Sequence, residues 1–309
     1  MTTPSSHVSL PTIDKVDTES SSSSDDAVGA GGSSSSSKKG NKKKGSSNKT
    51  TGKVRLTPTD PGWPKDVPDT FQTCEKDWIE EDIIFREVVD QGEFPVCWSI
   101  TLTESIEAAY NVKAKKEGRQ KHPNLSAQHL INNTRKIACT DGGMRRFDEV
   151  TQFLVKEGLV TEDLCEFTGS INEDGCAHPT PDAENVTKIK DLKQIKKEQI
   201  NEKDLILLVD KRPVMVQMEL FESLANFKGD GVYSGPTQKE IRQKAAGKKV
   251  ALHALLLVGF CTIDGVHYWK VRNSFGTRWG NNGYGKIIRQ CSPGNNNPSL
   301  FVKIRYPEV

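Results

Sequence analysis

Residues 268–287 read YWKVRNSFGTRWGNNGYGKI, and shortly before them, at 253–260, comes HALLLVGF. The first stretch opens as a strand, because Tyr268, Trp269 and Val271 are the aromatic and β-branched types that suit a pleated surface. Asn273 ends that run. Glycines and asparagines then interrupt regular structure until YGKI resumes a strand. HALLLVGF reads as a second strand with His253 at its end rather than in its middle. Two adjacent strands of this kind set the His253 ring beside the Asn273 side chain, whose carbonyl can hold the imidazole in one tautomer. Taken singly, each residue reads more simply as a satisfied core histidine and a turn asparagine. A third group has to justify reading them together.

That group lies in DQGEFPVCWS, residues 90–99. Cys97 opens a run in which Ile100, Thr103, Ile106 and Tyr110 recur at helical spacing. The spacing predicts a helix from about Cys97 to Lys116, stopped by Gly118. A cysteine is most often a small buried hydrophobe. At a helix N-terminus and beside an imidazolium, however, a thiol loses its proton easily and becomes a nucleophile. Of the six histidines, at 7, 122, 129, 178, 253 and 267, His253 stands out because it opens the strand-like run HALLLVGF with its ring at the end rather than in the middle. Cys97 precedes His253 by 156 residues, and His253 precedes Asn273 by 20.

The whole chain has 309 residues, 34% hydrophobic and 27% charged, enough for a folded core. Residues 1–60 carry nine Lys/Arg against six Asp/Glu, and the remainder is close to neutral. No basic excess marks the body of the protein for nucleic acid. The stretches SSSSSDDAVGAGGSSSSS and KKGNKKKGSSNKTTGK cannot bury enough apolar surface to offset their ordering entropy, so residues 1–68 are expected to be disordered and 69–309 to fold. KKGNKKK fits either a nuclear-import signal or a solvated basic tail. The opening residues lack the apolar run of a secretion signal, and no apolar stretch reaches membrane-spanning length. The expected location is therefore cytoplasmic or nuclear, with a lysosomal, vacuolar or extracellular one as the alternative. Seven cysteines without a CxxC pair argue against a zinc site, so no metal and no cofactor is expected. The Asn-x-Ser/Thr sequons at Asn48, Asn124, Asn132 and Asn185 carry meaning only on the secretory route.

NLSAQHLINN and GGMRRFDEVTQFLVKEG read as further helices, the second closed by Gly158. PVMVQMEL, HALLLVGFC, VHYWKVRNS and YGKIIRQ read as strands. Helices first and strands later make an α+β protein in two segregated halves.

From about residue 70 onward the chain resembles the papain-like cysteine peptidases, as a divergent plant-type member. The matches fall in the family's order: KDW at 76–78, DQG at 90–92, CW at 97–98, SAQHL at 126–130, GG at 142–143, GVYSGP at 231–236, HALLLVGF at 253–260 and the opening stretch at 268–287. The Cys-to-His gap is also close to that of papain and the cathepsins. The resemblance implies a papain-like two-domain fold, a helical half facing a β-barrel-like half with the active-site cleft between them. It implies that Cys97 attacks a peptide carbonyl, His253 moves the proton, Asn273 orients His253, and Gln91 helps hold the oxyanion. It also implies that Gly142 and Gly143 pair with substrate backbone, and that Met144, Leu252, Ala254 and Gln217 lie near a side-chain pocket. Implied partners are peptide or protein substrates and cystatin-like inhibitors, with the protein acting as a monomer.

Several positions depart from the family pattern. Phe94 stands where a disulfide cysteine is usual, and Pro95 and Val96 replace Gly and Ser. Phe275 replaces the tryptophan that shields the Asn–His bond. Cys139 and Cys176 match half-cystines whose partner positions hold Phe94 and Asn133, so free thiols are expected. The polar first 60 residues are not expected to form the family's inhibitory propeptide. The competing readings are thus an active cysteine-type endopeptidase and a catalytically weak or inactive papain-fold binding protein.

Overall fold

The computed structural model describes residues 74–134, 146–169, 186–292, 294–295 and 297–309. The expectations for residues 1–68, Cys139, Gly142, Gly143, Met144 and Cys176 lie outside these residues. In chain order the elements are β1 (Cys74–Asp77), α1 (Cys97–Lys116), α2 (Ala127–Thr134), α3 (Phe147–Lys156), β2 (Asp191–Lys196), α4 (Glu202–Lys211) and β3 (Val214–Glu219). They continue with α5 (Glu222–Ala225), β4 (Val232–Tyr233), α6 (Gln238–Ala245), β5 (Leu252–Ile263), β6 (Val266–Arg272), β7 (Tyr284–Ile288) and β8 (Phe301–Glu308). The architecture is α+β, with the long helices first and most of the sheet afterwards.

Helix α1 begins and ends where its periodicity predicts. Lys113, Lys115 and Lys116 crowd its last turn, where cations meet the carbonyl end of the helix dipole. Gly118, at φ +62°, then turns the chain, and the Arg119 N–H caps the Ala114 carbonyl at 2.8 Å. Leu102 and Ile106 are wholly buried. They pack with Leu125, Leu130, Val150 and Leu154 from the neighbouring helical segments. In α2, Ser126 accepts the His129 N–H at 2.8 Å as an N-cap.

The strands form one sheet in the order β2-β8-β3-β5-β6-β7-β4, with β1 paired to β5. Among the strand pairs of the described residues, β4–β7 is parallel and the others are antiparallel. Along β3 and β5 the side chains alternate between faces. Val214, Val216, Leu255 and Leu257 join Trp269, Ile287, Phe301 and Ile304 in one core, against Leu205, Ile206 and Val209 of α4. Met215 and Ala254 face the other way, into the core that contains Cys97 and Ile100 of α1. Leu256 and Val258 likewise meet Ala108 and Val112.

Two arginines with buried side chains tie the helical segments to their surroundings. Arg272 donates from Nε to Glu104 of α1 at 3.0 Å, from Nη1 to the Tyr284 hydroxyl at 2.7 Å, and from Nη2 to the Glu87 carbonyl. Arg86 bridges Glu107 and Glu162 at 2.8 and 2.5 Å. No helix among the described residues is long and apolar enough to cross a membrane.

The cysteines correct one expectation. Cys97 and Cys291 are free thiols, but Cys165 and Cys261 are disulfide-bonded. Cys74 sits opposite Cys261 in the β1–β5 register, 187 residues away in sequence. Spacing along the chain does not reveal that neighbourhood. Alkylation of denatured, unreduced protein should label Cys97 and Cys291 and spare Cys165 and Cys261 until reductant is added. Peptide mass spectrometry that finds Cys165 or Cys261 labelled before reduction would restore the free-thiol reading.

Candidate active site

Cys97 is the first residue of α1, where the orphan amides of the first turn point out of the helix. The N–H groups of Ala254, the residue after His253, of Trp98 and of Cys97 itself each favour the thiolate. The helix start and the β5 start therefore meet at the thiol. Burial nevertheless dominates, pushing the thiol up to about 11 against the pull of those amides.

His253 is the second residue of β5 and is 2% exposed. Its Nε2 lies 2.7 Å from Asn273 Oδ1. That oxygen also accepts the Ser274 N–H at 2.7 Å, which fixes it as the acceptor end of the amide. Nε2 must then carry the proton, leaving Nδ1 as the basic nitrogen of the ring. Phe275 stacks on the imidazole, with ring centroids 4.4 Å apart and planes 29° from parallel. It covers the ring as the family's tryptophan would. Burial lowers His253 to about 4, although the bond to Asn273 pulls the other way. Taken separately, then, burial holds both Cys97 and His253 neutral. This differs from the thiolate–imidazolium pair that the helix-start argument suggests, because desolvation outweighs the local donors.

Asn273 follows the last residue of β6, and its own N–H is held by the Gly283 carbonyl at 2.9 Å. Its Nδ2 is buried and has no partner among the described residues. Gln91 is also buried. Its backbone N–H donates to Ser274 O at 2.8 Å. Its side chain donates from Nε2 to Phe94 O and accepts from Ser274 Oγ, both at 2.6 Å. An amide NH2 carries two hydrogens, so one of them remains for another acceptor. Asp90 pairs with Phe275 in an isolated bridge, and the Gly276 N–H reaches Val89 O at 3.2 Å. A Cβ at Gly276 would lie 2.7 Å from Asp90 Oδ2, so glycine permits this close approach.

The fold thus brings Cys97, His253, Asn273 and Gln91 into one neighbourhood. Leu252 is 44% exposed beside His253, whereas Ala254 is fully buried. Sequence reading missed Ser274, which holds both Gln91 and Asn273; its position directly after Asn273 was the available signal. It also missed Arg272 and Glu104, for which two charges 168 residues apart offered none.

A model of the papain family cysteine proteases matches residues 73–300. The chain belongs to that family. It is 32% identical over 243 residues to the oryzain gamma chain of Oryza sativa subsp. japonica, covering 76% of this chain and 59% of that protein. It is 31% identical over 251 residues to pro-cathepsin H of Medicago truncatula, covering 79% and 63%. The chain therefore spans about three fifths of the length of these curated relatives. Bromelain from Ananas comosus, solved in complex with the E64 inhibitor, shares the fold with a TM-score of 0.58 at 22% identity, over 75% of this chain and 97% of that one.

Within this papain-family site, the cover over His253 is open to direct measurement. In wild type the Nε2 proton should exchange slowly enough to give a downfield NMR signal, because Phe275 and Asn273 shield it. Phe275→Ala should abolish that signal while the folded spectrum persists. A signal that survives the substitution would show that Phe275 is not the shield.

Proposed function

We propose that the chain is a cysteine-type endopeptidase. What carries the reading is the His253–Asn273 bond of 2.7 Å, covered by Phe275, one residue away from the amide that touches the Cys97 thiol. In the proposed reaction Cys97 Sγ attacks the substrate carbonyl carbon while its proton passes to Nδ1 of His253. The carbonyl oxygen becomes an oxyanion, held by the backbone N–H of Cys97 and the spare hydrogen of Gln91. Such donors are worth about 3–4 kcal/mol when they are fixed before the charge appears. The C–N bond then breaks as His253 returns the proton to the leaving amine. Water, deprotonated by His253, afterwards cleaves the thioester and regenerates the thiol. Asn273 keeps the ring in the tautomer that each of these transfers uses.

A second reading, a weak or inactive papain-fold binding protein, draws on the same loop. Gln91 spends one hydrogen on Phe94 O, and Pro95 has no N–H to offer substrate. Kinetics separate the two. Wild type should hydrolyse a broad peptide library. Cys97→Ala and His253→Ala should each lose at least about a hundredfold, and Gln91→Ala about 10²–10³. An epoxysuccinyl probe should label wild type and not Cys97→Ala. Wild type indistinguishable from Cys97→Ala on both measures would favour the binding protein.

The resting protonation states give a pH test. His253 must be neutral to accept the thiol proton, and its depressed pKa of about 4 keeps it so at neutral pH. kcat/KM should therefore fall only as pH drops toward that value. No alkaline limb should appear below about 10, since Cys97 keeps its proton up to about 11. An alkaline limb between pH 8 and 9 would instead identify a preformed ion pair, lost as the imidazolium deprotonates.

The disulfides at Cys165 and Cys261 favour an oxidising location, lysosomal, vacuolar or extracellular, over the cytoplasmic or nuclear one.

A further inference from the structure

Strand register lays a row of four residues across the sheet: Lys196 on β2, Lys303 on β8, Gln217 on β3 and Ala254 on β5. Directly opposed residues on antiparallel neighbours project from the same face. The next row on that face is Gln194, Arg305, Met215 and Leu256, and it turns toward α1. His253, opposite Met218, projects from the other face. The row thus starts at the residue after His253, whose amide meets the Cys97 thiol. Lys303 lies two strand spacings from Ala254, about 10 Å between backbones, and carries its charge on a flexible four-carbon stem.

This face is mainly a donor surface, with Asp148 as the carboxylate that favours the Arg305 charge. Gln217 Oε1 accepts from Arg305, so the carbonyl end of that amide is occupied and its N–H end is left to donate. Arg305 is buried over the Phe147 ring, with its guanidinium carbon 3.5 Å from the centroid. Lys303 is part-buried, and every influence on it disfavours its charge: burial first, then Arg305, then Lys196. Glu219, one step further along β3 on the same face, is already paired with Lys244. Among the described residues, no carboxylate lies within ion-pair reach of Lys303. A part-buried cation without a counter-ion is costly, and an incoming carboxylate would relieve it.

We propose that this face is a specificity pocket for an acidic side chain of the peptide substrate, with Lys303 as the residue that selects it and Gln217 as a second donor. The proposal rests on the endopeptidase reading of the same site. It can be tested with peptides matched except for Glu, Gln or Lys at each of the four positions N-terminal to the scissile bond. At one of them, wild type should prefer Glu to Gln by about tenfold in kcat/KM, the value of one charge-assisted hydrogen bond. Lys303→Met, which keeps the apolar stem, should erase the preference, and Lys303→Glu should turn it toward Lys. Thermal melts of both variants check that the sheet is intact. Hydrolysis without a Glu preference, or a preference that survives Lys303→Met, would overturn the pocket and leave the peptidase standing.

Binding provides an arm that does not depend on turnover. The Glu and Gln peptides, fluorescently labelled, are titrated onto Cys97→Ala and onto the double variant Cys97→Ala, Lys303→Met. Tighter binding of the Glu peptide, lost in the double variant, would support the pocket even if wild type cleaved nothing and the peptidase reading failed. Equal binding of the two peptides, or none, would overturn it.

Discussion

The site depends on one buried ion pair. Arg272, the last residue of β6, reaches Glu104 of α1 across the interface between sheet and helix, and both side chains are almost wholly buried. Glu104 lies seven residues after Cys97, two helical turns along the same face. Asn273 comes directly after Arg272. One contact therefore sets the distance between the helix that presents the thiol and the strand end that presents the amide. Tyr284 and the Glu87 carbonyl each take a bond from one of the two terminal nitrogens, so all three guanidinium nitrogens are hydrogen-bonded. Removing one partner from such a pair strands the other, a loss of about 3–5 kcal/mol. Here that loss would fall on the alignment of the cleft as much as on stability.

A second connection runs along the floor of the cleft. Ser274 accepts the Gln91 backbone N–H on its carbonyl and donates its hydroxyl to the Gln91 side chain. The Asp90–Phe275 bridge and the Gly276–Val89 bond extend the same seam. The segment 273–276 thus does two jobs. Asn273 and Phe275 hold His253, while Ser274 and Gly276 hold the loop that leads to Cys97. The substitution of Phe275 for tryptophan keeps a ring stacked on the imidazole. The substitutions at Phe94, Pro95 and Val96 bear on the other side of the seam, where the Phe94 carbonyl takes a hydrogen bond from Gln91.

Burial that excludes water from this seam also decides its charge. A thiol at a helix start and an imidazole one strand away look from sequence like an ion pair. Taken out of water, each is cheaper neutral, and the first-turn amides recover only part of that cost. The same logic runs the other way on the far face of β5. Lys303 bears its charge in part-buried surroundings beside the buried Arg305, and the proposed remedy is an anion brought by the substrate.

Much of this was legible in the chain because it is local. Apolar spacing at three and four residues, with Gly118 and Gly158 as stops, marked α1 and α3, and β-branched runs marked β3, β5, β6 and β7. The order Cys97, His253, Asn273 pointed to the chemistry. Short or polar elements stayed hidden: β2 reads DLKQIK and α6 reads QKEIRQKA, and neither has an apolar period strong enough to declare itself. Register was hidden for a deeper reason. Which residue of one strand faces which residue of another is set by packing between segments far apart in sequence, and that pairing alone places Cys74 opposite Cys261, Arg272 against Glu104, and Lys303 in line with Ala254. Protonation belongs with register, since a side chain's charge depends on how much water the assembled fold leaves around it. Residue types and spacing named the candidate groups; depth and pairing set their charge and their neighbours.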